Sequence, residues 1–293
     1  PSNKRNIRMI QQILSLQKLN EKVLLVIQYP AISSKIMSLL LKRIEKVKCK
    51  SVALIHDLPS IQGMGGETQF EIEELNHFDY LIVHNTKMEE YLFDCGYRGK
   101  IVVLELFDYL HDIERNVTET PYSGTISVAG NLDKAPYICD LEKVGRYKFN
   151  LYGINKTLDL SNLSNVDYKG CLPSDEIPYL LDADYGLVWD GDSVDTCSGV
   201  YGKYLLYNNP HKLSLYIAAG KPVIVWSNSA VADFVLKNKI GIAVDSLIDL
   251  NQIDLFDNYK ELKQNALKIK QKISSGYFLK TAIEKIEKEI AKK

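Results

Sequence analysis

Tyr185-Gly186-Leu187-Val188-Trp189-Asp190-Gly191-Asp192-Ser193-Val194-Asp195-Thr196-Cys197-Ser198-Gly199 passes without a break from an apolar run into a loop with three carboxylates in six positions. The run Tyr185–Trp189 has the length and composition of a buried parallel strand. Downstream, Tyr207-Asn208-Asn209-Pro210-His211-Lys212-Leu213-Ser214-Leu215-Tyr216-Ile217-Ala218-Ala219-Gly220-Lys221-Pro222-Val223-Ile224 predicts a helix over Lys212–Ala219, closed by Gly220. Pro222 then opens another apolar strand, Pro222–Trp226. Strand, polar loop, helix and strand in that order form a βαβ unit, which makes the two strands parallel.

The same alternation extends in both directions. Strands are expected at Val23–Gln28, Ser51–Ile55, Asp79–Val83 and Ile101–Leu104, then at Thr125–Ala129, Lys148–Tyr152 and Gly241–Val244. Helical spacing falls on Ser34–Val47, Thr86–Cys95, Ala135–Val144, Ser174–Leu181 and Ala230–Lys237. The polar stretch Phe107–Gly124, with Asn116, Thr118, Thr120 and Pro121, interrupts the pattern. The expected architecture is α/β, with two Rossmann-like, doubly wound parallel-sheet domains facing a cleft. Residues 1–122 form the first domain and 123–274 the second. The Lys/Glu-rich end from Tyr259 to Lys293 reads as a solvated amphipathic helix, with 275–293 packing back on the first domain.

Composition narrows the classes. Of the 293 residues 46% are hydrophobic and 25% charged, which is globular and not disordered. Lys+Arg 36 against Asp+Glu 37 gives a net charge of −1, without the basic excess of a nucleic-acid binder. No apolar run reaches the roughly 18 to 20 residues of a membrane span. Five widely spaced cysteines without a CxxC pair argue against a disulfide framework and a structural zinc, and fit a cytoplasmic protein. The chain opens at Pro1 rather than Met, in a helix-like stretch, so a preceding segment is expected.

Ligands of open α/β sheets bind at the carboxyl ends of the strands, so candidates stand just after them. Asp190, Asp192 and Asp195 offer acceptors for sugar hydroxyls; as a calcium loop they lack the twelfth-position Glu. Trp189 and Cys197 are unusual residues for a merely solvated turn. Pro210 pre-sets a helix start whose first amides point outward, and Lys212 in the first turn suits a docked anion. Ala129-Gly130-Asn131-Leu132-Asp133-Lys134 is a second phosphate candidate, although no GxxxxGK[ST] is present. The only glycine cluster, Gly63-Met64-Gly65-Gly66, is not a GxGxxG fingerprint. After the strand Ser51–Ile55, His56 and Asp57 are adjacent acid–base candidates; the competing reading is a turn-capping Asp57 and a buried His56. His84-Asn85-Thr86 reads as a helix start with Asn85 or Thr86 as the cap. GxSxG and HExxH are both missing.

Four blocks together carry a resemblance: Ile55-His56-Asp57-Leu58-Pro59-Ser60, Tyr80-Leu81-Ile82-Val83-His84-Asn85, Gly186 to Gly199, and Tyr207 to Lys212. They are similar to GT-B glycosyltransferases, and within these to bacterial galactofuranosyltransferases and the glucosyltransferases that extend glycans on streptococcal adhesins. In many GT-B enzymes the donor helix carries a ribose-gripping Glu where this chain has Leu215, with Ser214 the nearest polar neighbour. The resemblance implies that Lys134, beside Gly130 and Asn131, and Lys212 neutralise a UDP pyrophosphate. It places Cys171 and Leu172 along the uracil, and Asp190, Asp192 and Ser198 on the transferred sugar. Asn209, His211, Lys212, Leu213 and Ser214 complete the donor-binding set.

The implied reaction moves a hexose, foremost galactofuranose and alternatively glucose, from a UDP-sugar to a glycan, with inversion and no metal or other cofactor. Asp57 is the expected base, with His56 in reserve. The acceptor is an oligosaccharide, a lipid-linked glycan or a glycoprotein; a lipid-linked one would bring the chain to the inner face of the membrane. Family analogy points to a homo-oligomer. The rival readings are a silent GT-B partner of another glycosyltransferase, and a dinucleotide-dependent epimerase or oxidoreductase, which needs a fingerprint this chain lacks.

Overall fold

The computed structural model describes residues 2–30, 34–63, 65–113, 115 and 121–292. Pro1, Met64, Asn116, Thr118, Thr120 and Lys293 lie outside the described residues. The chain divides into two compact units. The first comprises Pro1–Leu104 with Ala282–Lys293, and the second Glu105–Thr281.

The first unit runs α1 (Ser2–Ser15), β1 (Leu24–Tyr29), α2 (Ser34–Ile44), β2 (Lys50–Ile55), α3 (Thr68–Leu75), β3 (Tyr80–Val83), α4 (Thr86–Asp94) and β4 (Lys100–Val103). Its four strands pair in the order β1-β2-β3-β4, all parallel. The central strands read as unbroken apolar runs because both faces are covered: Val52, Ala53, Ile55, Leu81, Ile82 and Val83 are all buried. Asn85 caps α4, its side chain accepting from the Met88 amide at 3.0 Å.

The second unit contains β5 (Thr125–Asn131), β6 (Lys148–Ile154), β7 (Val166–Gly170), α5 (Ile177–Leu180), β8 (Tyr185–Val188), α6 (Gly199–Tyr204), α7 (His211–Ala218), β9 (Val223–Trp226), α8 (Ala232–Lys237), β10 (Gly241–Val244), α9 (Tyr259–Ser274) and the first turn of α10 (Tyr277–Ile290). Its six-stranded sheet has the order β10-β9-β8-β5-β6-β7. Successive connections leave β5 in one direction to β6 and β7, and in the other to β8, β9 and β10. The order therefore reverses between β5 and β8, and such a switch point opens a crevice at the strands' carboxyl ends.

Four local expectations change. Ala135–Val144 is not an α-helix: Leu132–Lys134 and Pro136–Lys143 are tight 3-10 turns, with Pro136 opening the second. The C-terminal stretch is two helices. Gly276, at φ +73°, ends the first in a conformation that glycine adopts without penalty. Asp108 then starts the second by accepting from the Phe278 and Leu279 amides at 3.1 and 2.8 Å. The division between the compact units falls at Leu104/Glu105, where the sequence drew it at 122/123, and the start of the intervening segment is tied to the second unit. Glu105 and Phe107 accept from Asn209 and Ser214, each at 2.8 Å. Finally, the last part of α10 groups with the first unit only from Ala282, where Glu289 pairs with Lys100.

Candidate functional site

The crevice of the second unit begins with a glycine pair. Gly130, next to the last residue of β5, stands opposite Gly153 of β6, at φ +140° and +142°. A Cβ on Gly153 would stand 1.7 Å from the Gly130 carbonyl oxygen, so no side chain fits there. Above this bare backbone lies a cavity of about 360 Å³. Gly130, Asn131, Cys171, Leu172, His211 and Lys212 all line it, six of the candidates read from the sequence. Tyr109, Tyr152, Gly153, Ile154, Ser174, Ile177 and Leu215 complete most of the wall, and sequence reasoning missed them apart from Leu215. The loop after Gly130 is held by Asn131, whose side chain accepts from the Asp133 amide at 3.2 Å. Asp133 in turn accepts from the Lys156 and Thr157 amides, and these bonds hold its carboxyl below the ordinary range. Lys134 leaves this loop with its ammonium 4.8 Å from the centre of the Tyr201 ring.

Helix α7 is fixed over the switch point by Tyr216. Its ring lies on Gly186 of β8, where a Cβ would approach to 2.0 Å, and its hydroxyl accepts from the Ala129 amide at 2.7 Å. One turn earlier on the same face stands Lys212. Its Nζ donates to the Trp189 carbonyl at 3.0 Å and to Asp190 Oδ1 at 2.7 Å. Both partners are partly shielded, at 18% and 22% side-chain exposure. Lys212 is therefore placed at the cavity, but its charge is already matched by Asp190. Asp190 makes this ion pair through Oδ1; the sequence placed the same residue on a sugar hydroxyl.

The acidic loop is a built structure, not a solvated turn. Trp189 is fully buried and its indole donates to the Ser193 carbonyl at 2.9 Å. Gly191 lets the loop close on the Ser198 backbone. A Cβ on Gly199 would lie 2.3 Å from Asp192 Oδ2, which puts that carboxylate directly over the start of α6. The Cys197 thiol is buried, and burial pushes its pKa well above the usual thiol range.

Three of the expected donor ligands make other contacts in this structure. Asn209 and Ser214 donate to the Glu105 and Phe107 carbonyls, and the Leu213 side chain is part of the core. Helical phase explains two of them: at about 100° per residue, neither Leu213 nor Ser214 shares the face of Lys212. His211 does reach the cavity, with its ring 4.4 Å from that of Phe107. Asp192, Ser198 and Lys134 are outside the cavity wall, although Asp192 and Lys134 are exposed.

In the first unit, His56 and Asp57 follow β2. The His56 amide donates to the Tyr29 carbonyl at 2.8 Å and so extends the β1–β2 ladder by one residue. Burial depresses the His56 pKa against the opposing pull of Asp57, which favours the neutral ring. Asp57 is half-buried and accepts from Gln62 Nε2 at 2.8 Å. The same loop is anchored by Ser60, which donates to Glu71 Oε2 at 2.5 Å. Glu71 is buried on α3 beside the Tyr29 hydroxyl, and burial raises its pKa. His84, buried under the sheet end, contacts the Ile55 carbonyl through Nε2 at 3.1 Å, a structural role.

Comparison with known proteins covers both units. Residues 2–106 match the family described as Glucosyltransferase 3-like, N-terminal domain, and 126–286 match Glucosyltransferase 3-like, C-terminal domain. Beta-1,6-galactofuranosyltransferase WbbI of Escherichia coli (strain K12) is 36% identical over 247 residues, spanning 82% of this chain and 72% of that protein. Glucosyltransferase 3 of Streptococcus gordonii is 24% identical over 250 residues, 83% of this chain and 72% of that protein. Among solved structures, Anabaena Alr3699/HepE in complex with UDP and glucose superposes with a TM-score of 0.61 at 12% identity, over 97% of this chain and 80% of that one. The lipopolysaccharide outer core galactosyltransferase WaaB in its apo form gives 0.63 at 10% identity, over 98% and 81%. At such identities the structures speak for the fold alone. No helix among the described residues is long and apolar enough to cross a membrane.

Proposed function

The chain belongs to the glucosyltransferase 3-like family of GT-B glycosyltransferases, and from that premise we propose that it transfers galactofuranose from UDP-galactofuranose to a glycan acceptor. The reading includes inversion at the anomeric carbon and no metal ion. The observation that carries it is the cavity at the carboxyl ends of β5 and β6. It joins a bare Gly130–Gly153 backbone, suited to close approach of a diphosphate, to the Lys212 ammonium and to the Cys171–Leu172 wall. The higher identity to a galactofuranosyltransferase favours that sugar over glucose.

In this reading the uracil lies along Cys171 and Leu172, while Lys212 and Lys134 take up the charge that develops on the departing UDP. Removing one such preorganised donor typically costs about 3 to 4 kcal/mol of transition-state stabilisation. Asp57 takes the proton of the acceptor hydroxyl as it attacks, a contribution of roughly a hundredfold to ten-thousandfold. The His56 imidazole, held neutral by burial, is the reserve base. Asp192 and Ser198 are proposed to meet the transferred sugar from the loop above α6.

The test is UDP release from UDP-galactofuranose and from UDP-glucose, with a glycan acceptor and EDTA present. Release from UDP-galactofuranose alone supports the proposal. Release from UDP-glucose alone would replace the donor, and loss of release in EDTA would overturn metal independence. UDP binding without release from either donor would favour a non-catalytic partner.

A further inference from the structure

We propose that Gln62 is the positioning residue of Asp57, an inference that rests on the reading of Asp57 as the base. The loop after β2 doubles back in a turn in which the Ile61 and Gln62 amides donate to the Leu58 carbonyl at 3.1 and 3.0 Å. This turn returns the Gln62 side chain to the start of the loop, where its Nε2 donates to Asp57 Oδ1 at 2.8 Å. The amide can stand only one way round, because the reverse orientation would set Oε1 against a carboxylate oxygen, acceptor on acceptor.

The other end of the same amide is the second observation. Gln62 Oε1 is buried and has no hydrogen-bond donor among the described residues. Buried acceptors are nearly always paired, so an orphan marks a place where the fold accepts a cost. Here that cost keeps a neutral N–H on Asp57. A side chain retained only for packing would serve as well as methionine, without a stranded oxygen.

The chemistry suits the role. An amide N–H fixes one carboxylate oxygen without competing for the proton, whereas a Lys in its place would tie the carboxylate into an ion pair and weaken it as a base. Among the described residues His56 is a titratable neighbour: burial depresses its pKa, and the adjacent Asp57 carboxylate opposes that shift. Ser60, the nearest hydroxyl along the loop, is engaged by Glu71.

The experiment compares wild type with Gln62→Met, Gln62→Glu and Asp57→Asn. It measures kcat, donor KM and the pH dependence of kcat/KM for the donor that the wild type uses, with UDP titration and thermal unfolding alongside. Gln62→Met is expected to lower kcat about 10- to 100-fold through loss of orientation, with UDP affinity within about twofold. Its acid limb moves to higher pH, and that of Gln62→Glu moves further, because a second carboxylate disfavours the charged form of the first. Having lost the orphan oxygen, Gln62→Met unfolds at the same temperature as wild type or higher. An inactive Asp57→Asn beside a Gln62→Met with wild-type kcat and acid limb would overturn the role of Gln62 alone. An active Asp57→Asn would overturn the base assignment beneath it. If Gln62→Met does not fold, the isosteric Gln62→Glu decides by its acid limb: an unmoved limb refutes the positioning role.

Discussion

Asp190→Asn separates the charge of the Lys212 partner from its shape. Asn retains an oxygen that can accept from Lys212, and the Trp189 carbonyl holds the ammonium independently at 3.0 Å, so the lysine stays in place. What disappears is one negative charge. At 2.7 Å and an effective dielectric of about 20, the gross attraction is about 6 kcal/mol. Desolvation of two groups that are four-fifths covered removes most of it, leaving a net stability loss of about 1 to 2 kcal/mol. The same carboxylate repels an incoming diphosphate. For a charge of about −2 roughly 7 Å away, at an effective dielectric of about 60, the repulsion is about 1.6 kcal/mol, or roughly tenfold in affinity. Asp190→Asn should therefore unfold at lower denaturant yet bind UDP about five- to fifteenfold tighter, with the gain shrinking in high salt. Isothermal titration with UDP at two ionic strengths and urea unfolding measure both. A folded variant that binds UDP no better than wild type would refute the placement of the diphosphate beside this pair.

Three other outcomes follow from the same geometry. Gly153→Ala puts a Cβ 1.7 Å from the Gly130 carbonyl at φ +142°, and should cost more than about 3 kcal/mol and abolish UDP binding; wild-type melting would contradict the strand register. Tyr137→Phe removes a fully buried hydroxyl that has no partner among the described residues, so urea unfolding should show unchanged stability or a gain of about 1 kcal/mol, and a clear loss would reveal a missed partner. Burial holds the Glu71 carboxyl above its ordinary 4.5, so the folded chain binds that proton more tightly. The associated stability is full below the ordinary value and falls as pH rises through the raised one. Glu71→Gln should gain on wild type over that window, and a difference that does not change with pH would contradict the assignment.

The sheets were legible because buried parallel strands are apolar on both faces, as Val52–Ile55 and Tyr185–Val188 show. Strand β7 escaped notice for the opposite reason: Val166-Asp167-Tyr168-Lys169-Gly170 is an edge strand with no fully buried residue. The short helix α6 was hidden inside what reads as loop, since its six residues show too little periodicity. At the site, Gly130, Asn131, Cys171, Leu172, His211 and Lys212 were accessible through the rule that ligands meet strand ends. Gly153 needed the β5–β6 register, which places it opposite Gly130 and which no local pattern encodes. The Lys212–Asp190 pair joins residues 22 positions apart and depends on how α7 lies over β8. For Leu213 and Ser214 the necessary signal was present: helical phase turns both away from Lys212.

The most direct measurement is the position of UDP bound to this chain, by crystallography or by methyl and amide NMR shifts. The diphosphate is expected against Gly130, Asn131 and the Lys212 ammonium, with the uracil along Cys171 and Leu172 and no perturbation at the opposite ends of the strands. UDP seated elsewhere, for instance in the polar crevice of Tyr122, Arg146 and Asp254, would contradict it.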